Sequence, residues 1–301
     1  MKFWIVTPSF NQVEWLKLCV ASVADQAGAG VEVHHHVQDA CSTDGTREFL
    51  ADHLTHSYEL KGRGYTFSYE SEKDDGMYDA INRGWEKSTA EYDIIAYLNC
   101  DEQYVADALV QVLATFSRPN NRDAEVLFGD ALVVDPGGAF VCYRRCLPPT
   151  KYHSLVGGNL AFLTCSTFVL RETWRRKQLS FNTDWKNIGD AVWGMDLLRK
   201  GIRMRSLYVL TSVFTETGEN LNLTPAGYEE KQRWRNAAPN WARSMRKLFV
   251  MVYRLRKLIH GGYYIRPFSY EIYTALGLEK RTFFKVDAPS SVWGGRLRIE
   301  G

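Results

Sequence analysis

The sequence predicts an α/β protein with a Rossmann-like, mainly parallel central sheet flanked by helices and a C-terminal helical extension. Three observations carry this reading. Between residues 2 and 116, short apolar runs alternate four times with segments of helical spacing, a rhythm that crossover connections between parallel strands produce. Polar clusters follow the ends of those runs, where open parallel sheets hold their ligands. Residues 241–259 repeat apolar side chains at three- and four-residue spacing without a single acid, as an amphipathic helix does.

Taken in order, residues 2–7 (KFWIVT) form a short buried strand stopped by Pro8, and 13–26 follow with Val13, Leu16, Val20 and Val23 on one helical face. Residues 31–38 alternate through Val31, Val33 and Val37 as a strand does, and 42–54 read as a helix that Ser42 or Thr43 can cap. A strand at 65–70 precedes a helix at 76–88 after Gly76, and a strand at 93–98 precedes a helix at about 104–116. The polar clusters are Ser9 to Asn11, Asp39 to Asp44, Glu72 to Asp75 and Asn99 to Glu102. Beyond residue 120 the pattern gives strands at 125–134, 139–143 and 203–214, a Pro/Gly-containing loop at 147–159, and helices near 170–177 and 189–200. His34-His35-His36 cannot converge on one metal, because successive strand residues point to opposite faces.

Charge and cysteine usage narrow the classes. The net charge of +2 conceals an asymmetry: residues 1–150 hold 12 Lys and Arg against 23 Asp and Glu, residues 151–301 hold 25 against 12. The two halves therefore suit different partners. Six cysteines without a C-x-x-C pair fit scattered reduced thiols, hence the cytoplasm, better than a disulfide framework or a zinc site. No stretch of eighteen uncharged apolar residues predicts a membrane span. No recognised nucleic-acid motif accompanies the basic residues, so no nucleic-acid partner is expected.

The chemistry lies in the rim clusters. Asp39 could accept hydrogen bonds from a base or ribose, and Asp101 with Asn99 could offer hard oxygen ligands to Mg²⁺ or Mn²⁺ bridging to a diphosphate. Without such a cation these acids would repel a diphosphate. The runs Thr7-Pro8-Ser9-Phe10-Asn11, Asp39-x-x-Ser42-Thr43-Asp44-Gly45-Thr46, Glu72-x-Asp74-x-Gly76-Met77-Tyr78-Asp79-Ala80-Ile81-Asn82-x-Gly84 and Leu98-Asn99-Cys100-Asp101-Glu102 resemble, in order and spacing, the successive motifs of family 2 glycosyltransferases of the GT-A fold. The bacterial subgroup that builds surface polysaccharides is the one resembled. Alanine and cysteine at 40 and 41, Glu102 after Asp101, and Thr164-Cys165 before Ser166 depart from the usual pattern of glycines, a second Asp and His-Gln.

The resemblance implies that Pro8, Phe10, Asn11 and Asp39 hold the nucleotide, that Asp74, Asp79 and Asn82 line the nucleotide-sugar site, and that Asn99-Cys100-Asp101 is the D-x-D-like metal motif with Asp101 as its surest ligand. It implies an inverting transfer from a nucleotide-diphosphate sugar, first of all a UDP-sugar, to a saccharide or lipid-linked saccharide. Asp190, in Gly189-Asp190-Ala-Val-Trp-Gly-Met-Asp-Leu-Leu-Arg-Lys-Gly201, resembles the aspartate that deprotonates the acceptor; Asp184 and Asp196 compete for the role. On this reading 1–220 is the catalytic domain, divided into a nucleotide-sugar half (1–118) and an acceptor half (119–220), and 221–301 is a basic helical extension. Trp185, Trp193 and Tyr152 are candidate acceptor contacts, and Gly157-Gly158-Asn159 a candidate acceptor-side loop. The helix at 241–259 can lie on the inner face of the cytoplasmic membrane or pack its apolar stripe on the catalytic domain. The alternatives are a dinucleotide-binding oxidoreductase, which would need the G-x-G-x-x-G absent after the first strand, a glycosidase using two of the carboxylates, and a non-catalytic membrane-associated scaffold.

Overall fold

The structure, a computed structural model, describes residues 1–121, 123–157, 160–218 and 224–293. Its first half runs β1 (Lys2–Ser9), α1 (Val13–Ala24), β2 (Glu32–Asp39), α2 (Thr46–Leu60), β3 (Tyr65–Ser71), α3 (Met77–Glu86), β4 (Ile94–Tyr97), β5 (Glu102–Tyr104) and α4 (Ala108–Phe116). The second half continues with β6 (Val126–Val134), β7 (Phe140–Arg144), α5 (Lys151–Leu155), β8 (Thr167–Leu170), α6 (Arg171–Lys177), α7 (Gly189–Arg199) and β9 (Met204–Thr215). After these come α8 (Pro225–Ala237), α9 (Asn240–Ser244), α10 (Arg246–Ile259), β10 (Phe268–Thr274) and β11 (Gly277–Val286).

One sheet, ordered β3-β2-β1-β4-β8-β6-β9-β5 with β7 beside β6, organises the molecule. Its first four strands are parallel, as the alternation predicts. Past β4 the sheet becomes mixed, since β8 runs antiparallel to both β4 and β6, β5 is antiparallel to β9, and only β6 and β9 pair in parallel. The mainly parallel description therefore holds for the first half alone: the regular βα rhythm stops at residue 116, and the later strands join without a helix between each pair.

Both faces of the sheet are covered. Along β1, Phe3 and Ile5 enter a core with Leu16 and Val20 of α1, Leu50 of α2 and Leu109 of α4. Trp4 and Val6 point the other way, to Ile81 and Trp85 of α3, Trp174 of α6 and Trp193 of α7. The period-two pleat thus divides one strand between two cores. Gly84 lets α3 lie directly on β1, because a Cβ there would stand 2.5 Å from Val6 Cγ1. The histidine triplet alternates as expected: His34 and His36 stack beside Trp4, while His35 turns to the Thr7 hydroxyl at 2.9 Å.

Several expectations are corrected. The cap expected from Ser42 or Thr43 comes from Asp44, whose Oδ1 accepts from the Thr46 amide at 3.2 Å and whose Oδ2 accepts from the Val13 amide at 2.8 Å; Ser42 donates its hydroxyl to Asp39 instead. One carboxylate serves the N-termini of α1 and α2. The short strand β5 interrupts the run expected to be helix from 104. The 241–259 helix is broken at Met245 into α9 and α10. The extension expected to be helical over 221–301 ends in a hairpin, β10–β11, which returns to the first core with Tyr270, Ile272 and Val286. Gln103 fixes it, its side chain bonding both the carbonyl and the amide of Tyr273 at 3.0 and 2.9 Å. Arg281 pairs with Asp25 at 2.6 Å.

Trp85 is fully buried and donates its indole N–H to the Ala96 carbonyl at 3.2 Å. Trp85→Ala is expected to lower unfolding stability by about 3–5 kcal/mol, checked by urea denaturation.

Candidate active site

The carboxyl ends of β1 to β4 carry the four predicted polar loops. Register aligns Ser9 with Asp39 and Asp39 with Ser71, so the first three loops brace one another. Asp39, fully buried, accepts from the Ser42 amide at 3.1 Å, from the Ser42 hydroxyl and from the Ser71 hydroxyl at 2.5 Å. Asn11, in the left-handed region at φ 51°, donates its amide to Ser42 Oγ and accepts from the Thr43 amide, both at 2.8 Å. Asp39 and Asn11 are therefore loop braces set back from the cavity, whereas Pro8 and the exposed ring of Phe10 line it.

In the third loop Asp74 lines the cavity and accepts from the Gly76 amide at 2.9 Å; burial pushes its carboxyl up. Asp79 accepts from the Asp75 amide at 3.0 Å and pairs with Arg83 at 2.7 Å. Asn82 bonds the Phe181 carbonyl and amide at 2.9 and 2.8 Å, stitching α3 to the second half. Neither Asp79 nor Asn82 reaches the cavity wall.

The fourth loop presents hard oxygens. Asn99, Asp101 and Glu102 line the cavity, and the Asn99 side-chain oxygen is buried without a hydrogen-bond partner. Glu102 accepts from the Asn99 amide at 2.7 Å, and its carboxyl is held well above the usual range, first by burial and then by the neighbouring Asp101 charge. Cys100 is buried, its thiol raised by desolvation and directed at the Pro8 carbonyl at 3.4 Å, so it offers no thiolate. Among the described residues no three His, Cys, Asp or Glu side chains are placed to hold a metal by themselves. An orphaned amide oxygen beside a carboxylate fits a hard cation that takes its remaining ligands from phosphate and water.

Asp190 stands in the first turn of α7 and lines the same cavity. Its amide donates to the Tyr78 hydroxyl at 3.1 Å, and Oδ1 accepts from the Ala191 amide at 2.7 Å. Burial raises its carboxyl to about 6, against the pull of its helix amides and of Lys231. It is ionised at neutral pH yet more basic than an ordinary carboxylate, as a general base requires. Asp184 is exposed, and Asp196 pairs with Lys200 at 2.6 Å; neither lines the cavity. Gly189 permits the arrangement, since a Cβ there would press to 2.5 Å on the Tyr78 ring.

The cavity, about 1520 Å³, runs from these loops to α8, which contributes Tyr228, Lys231, Trp234 and Arg235. Sequence reasoning placed 225–237 in the helical extension but not at the cavity, and it missed Glu230, whose carboxylate accepts from the amides of Lys186, Asn187 and Ile188 at 2.9, 2.9 and 3.1 Å. The aromatic candidates fall elsewhere. Trp193 is core, donating to the Leu179 carbonyl; Trp185 lies under Arg233; Tyr152 stacks on Phe249. Of the candidate loop 157–159, Gly158 and Asn159 lie outside the described residues.

A curled α/β sheet with acidic loops at the carboxyl rim and a carboxylate facing them defines the GT-A class. Residues 4–134 match the family model described as glycosyl transferase family 2. It is 31% identical over 109 residues to TuaG of Bacillus subtilis, named for a glycosyltransferase role in teichuronic acid biosynthesis, covering 36% of this chain and 39% of TuaG. It is 27% identical over 143 residues to a PGL/p-HBAD biosynthesis glycosyltransferase of Mycobacterium bovis, covering 46% and 51%. The chain thus spans about two fifths to one half of these relatives. S. aureus TarS with UDP-GlcNAc shares the fold at TM-score 0.55 and 15% identity, over 86% of this chain and 73% of TarS. The Pyrobaculum calidifontis mannosyltransferase PcManGT with GDP-Man and Mn²⁺ shares it at TM-score 0.51 and 13% identity, over 87% and 81%.

Glu230→Ala frees three backbone amides ahead of α7. It is expected to cost about 1–3 kcal/mol of stability and to raise amide hydrogen exchange at 186–190, read by mass spectrometry.

Proposed function

We propose that the protein is an inverting glycosyltransferase that moves a sugar from a nucleotide-diphosphate donor, a UDP-sugar in the first instance, to a saccharide or lipid-linked saccharide in cell-surface polysaccharide synthesis on the cytoplasmic side. The observation that carries this is one cavity lined both by Asn99 and Asp101 and by Asp190, whose carboxyl is raised to about 6. The family match over residues 4–134 and the UDP-GlcNAc and GDP-Man complexes of proteins sharing the fold support it.

In this reading Pro8 and Phe10 border the nucleotide, with Asn11 and Asp39 holding their loop in shape, and Asp74 faces the sugar. Asp79 and Asn82 act from behind the wall, and Cys100, a buried thiol, lines it between Asn99 and Asp101. Asp101 and the Asn99 oxygen would hold Mn²⁺ or Mg²⁺, which would offset the charge of the departing diphosphate. Asp190 accepts the proton of the acceptor hydroxyl as its oxygen bonds to the anomeric carbon. The bond from that carbon to the phosphate oxygen breaks on the opposite side, and its electron pair leaves with the diphosphate. A single displacement of this kind inverts the centre.

Asp101→Ala is expected to abolish Mn²⁺-dependent stabilisation by UDP in a thermal-shift titration. Asp190→Asn should keep that stabilisation and lose about 10²- to 10⁴-fold in transfer. Because the base works deprotonated, kcat/KM of the wild type should fall about tenfold per unit as pH drops through about 6. Wild-type turnover in Asp190→Asn would remove the residue from the mechanism.

A further inference from the structure

Helix α10 is turned inside out relative to an ordinary surface helix. Its inward face carries Tyr253, stacked on His153 at 3.9 Å, Arg256, donating to the Pro148 carbonyl at 2.7 Å, and the buried Lys257. Its outward face carries Leu248, Met251, Val252, Leu255 and Ile259, the last two 55% and 74% exposed. The spacing of three and four makes these one stripe. Of the apolar stripe expected from sequence, only Phe249 packs inward; Trp241 and Met245 extend the exposed patch through α9, and Tyr264, 87% exposed, continues it past the helix. A contiguous apolar patch of this extent marks an interaction surface.

Charge says what covers it. From Arg235 to Lys257 there are seven basic residues and no acid, and among the described residues Arg243, Arg246, Lys247 and Arg254 are exposed and form no ion pair. A second copy presenting the same face would bring cation against cation. No helix among the described residues is long and apolar enough to cross a membrane, so an apolar stripe flanked by Lys and Arg and followed by exposed tyrosines suits the interface plane, with its cations at the headgroups.

We propose that α9–α10 and the turn through Tyr264 dock the protein on an anionic phospholipid surface. Docking there brings the α5 side of the cavity toward the bilayer, because Tyr253 of α10 stacks on His153 of α5 and the adjoining Ser154 lines the cavity. The docking stands apart from the transfer reading.

The test is flotation of the full chain with vesicles of phosphatidylcholine alone or with about one third phosphatidylglycerol. The protein should float with the anionic vesicles and stay behind with the neutral ones, and about 1 M NaCl should weaken the association. The Leu255→Glu/Ile259→Glu double variant and the Arg246→Gln/Lys247→Gln/Arg254→Gln triple variant should each lose about tenfold or more in partitioning, with melting temperatures near wild type. Asp101→Ala should float like wild type, which separates docking from transfer. No flotation of the wild type, unchanged flotation of both variants, or a lipid-free oligomer that Leu255→Glu/Ile259→Glu dissociates would each overturn the proposal.

Discussion

Carboxylates crowded along one edge of a sheet repel one another and resist desolvation, and the site is arranged around that repulsion. Asp39 is offset by one amide and two hydroxyls, Asp79 by Arg83, Asp44 by the first turns of two helices. Glu102 is held toward its protonated form by burial and by Asp101. Asn99, Asp101, Glu102 and Asp74 line the cavity from the rim, and Asp190 lines it from the second half.

The split of charge between the halves acquires a structural meaning here. The acidic half builds the rim from four consecutive loops. The basic half covers the cavity with α8, whose Lys231 draws the Asp190 carboxyl down while burial draws it up. Asn82 and Glu230 are the mechanical counterparts of this arrangement. The first ties α3 to the Phe181 backbone, and the second gathers the amides ahead of α7, so α3 and the candidate base are held by side chains that do not themselves line the cavity.

What was legible in the sequence was what period and motif can carry. The alternation of Phe3 and Ile5 with Trp4 and Val6, the helix faces of α1 and α3, and the gathering of four loops at one sheet edge all follow from local pattern. The division of labour within those loops does not. Asp39 and Asn11 read as nucleotide contacts, but whether a polar side chain faces the ligand or its own neighbours depends on strand register, here the alignment of Ser9, Asp39 and Ser71. The three residues of β5 are too few for periodicity to show. The hairpin β10–β11 takes its place through Gln103, 170 positions away in the chain, a separation that no window of sequence spans. The outward turn of the α10 stripe escaped for the same reason: a helical period identifies a face but not which side the rest of the molecule occupies.

Gln103 follows Glu102 directly, and both of its side-chain bonds go to the backbone of Tyr273. The hairpin β10–β11 is therefore fastened to the rung adjoining the Asn99–Glu102 turn rather than to some remote flank. Shortening the protein ahead of Phe268 would strip that rung of its anchor and loosen the turn that carries Asn99 and Asp101. Remodelling of the distal hairpin is in this sense remodelling of the cavity's fourth loop by proxy.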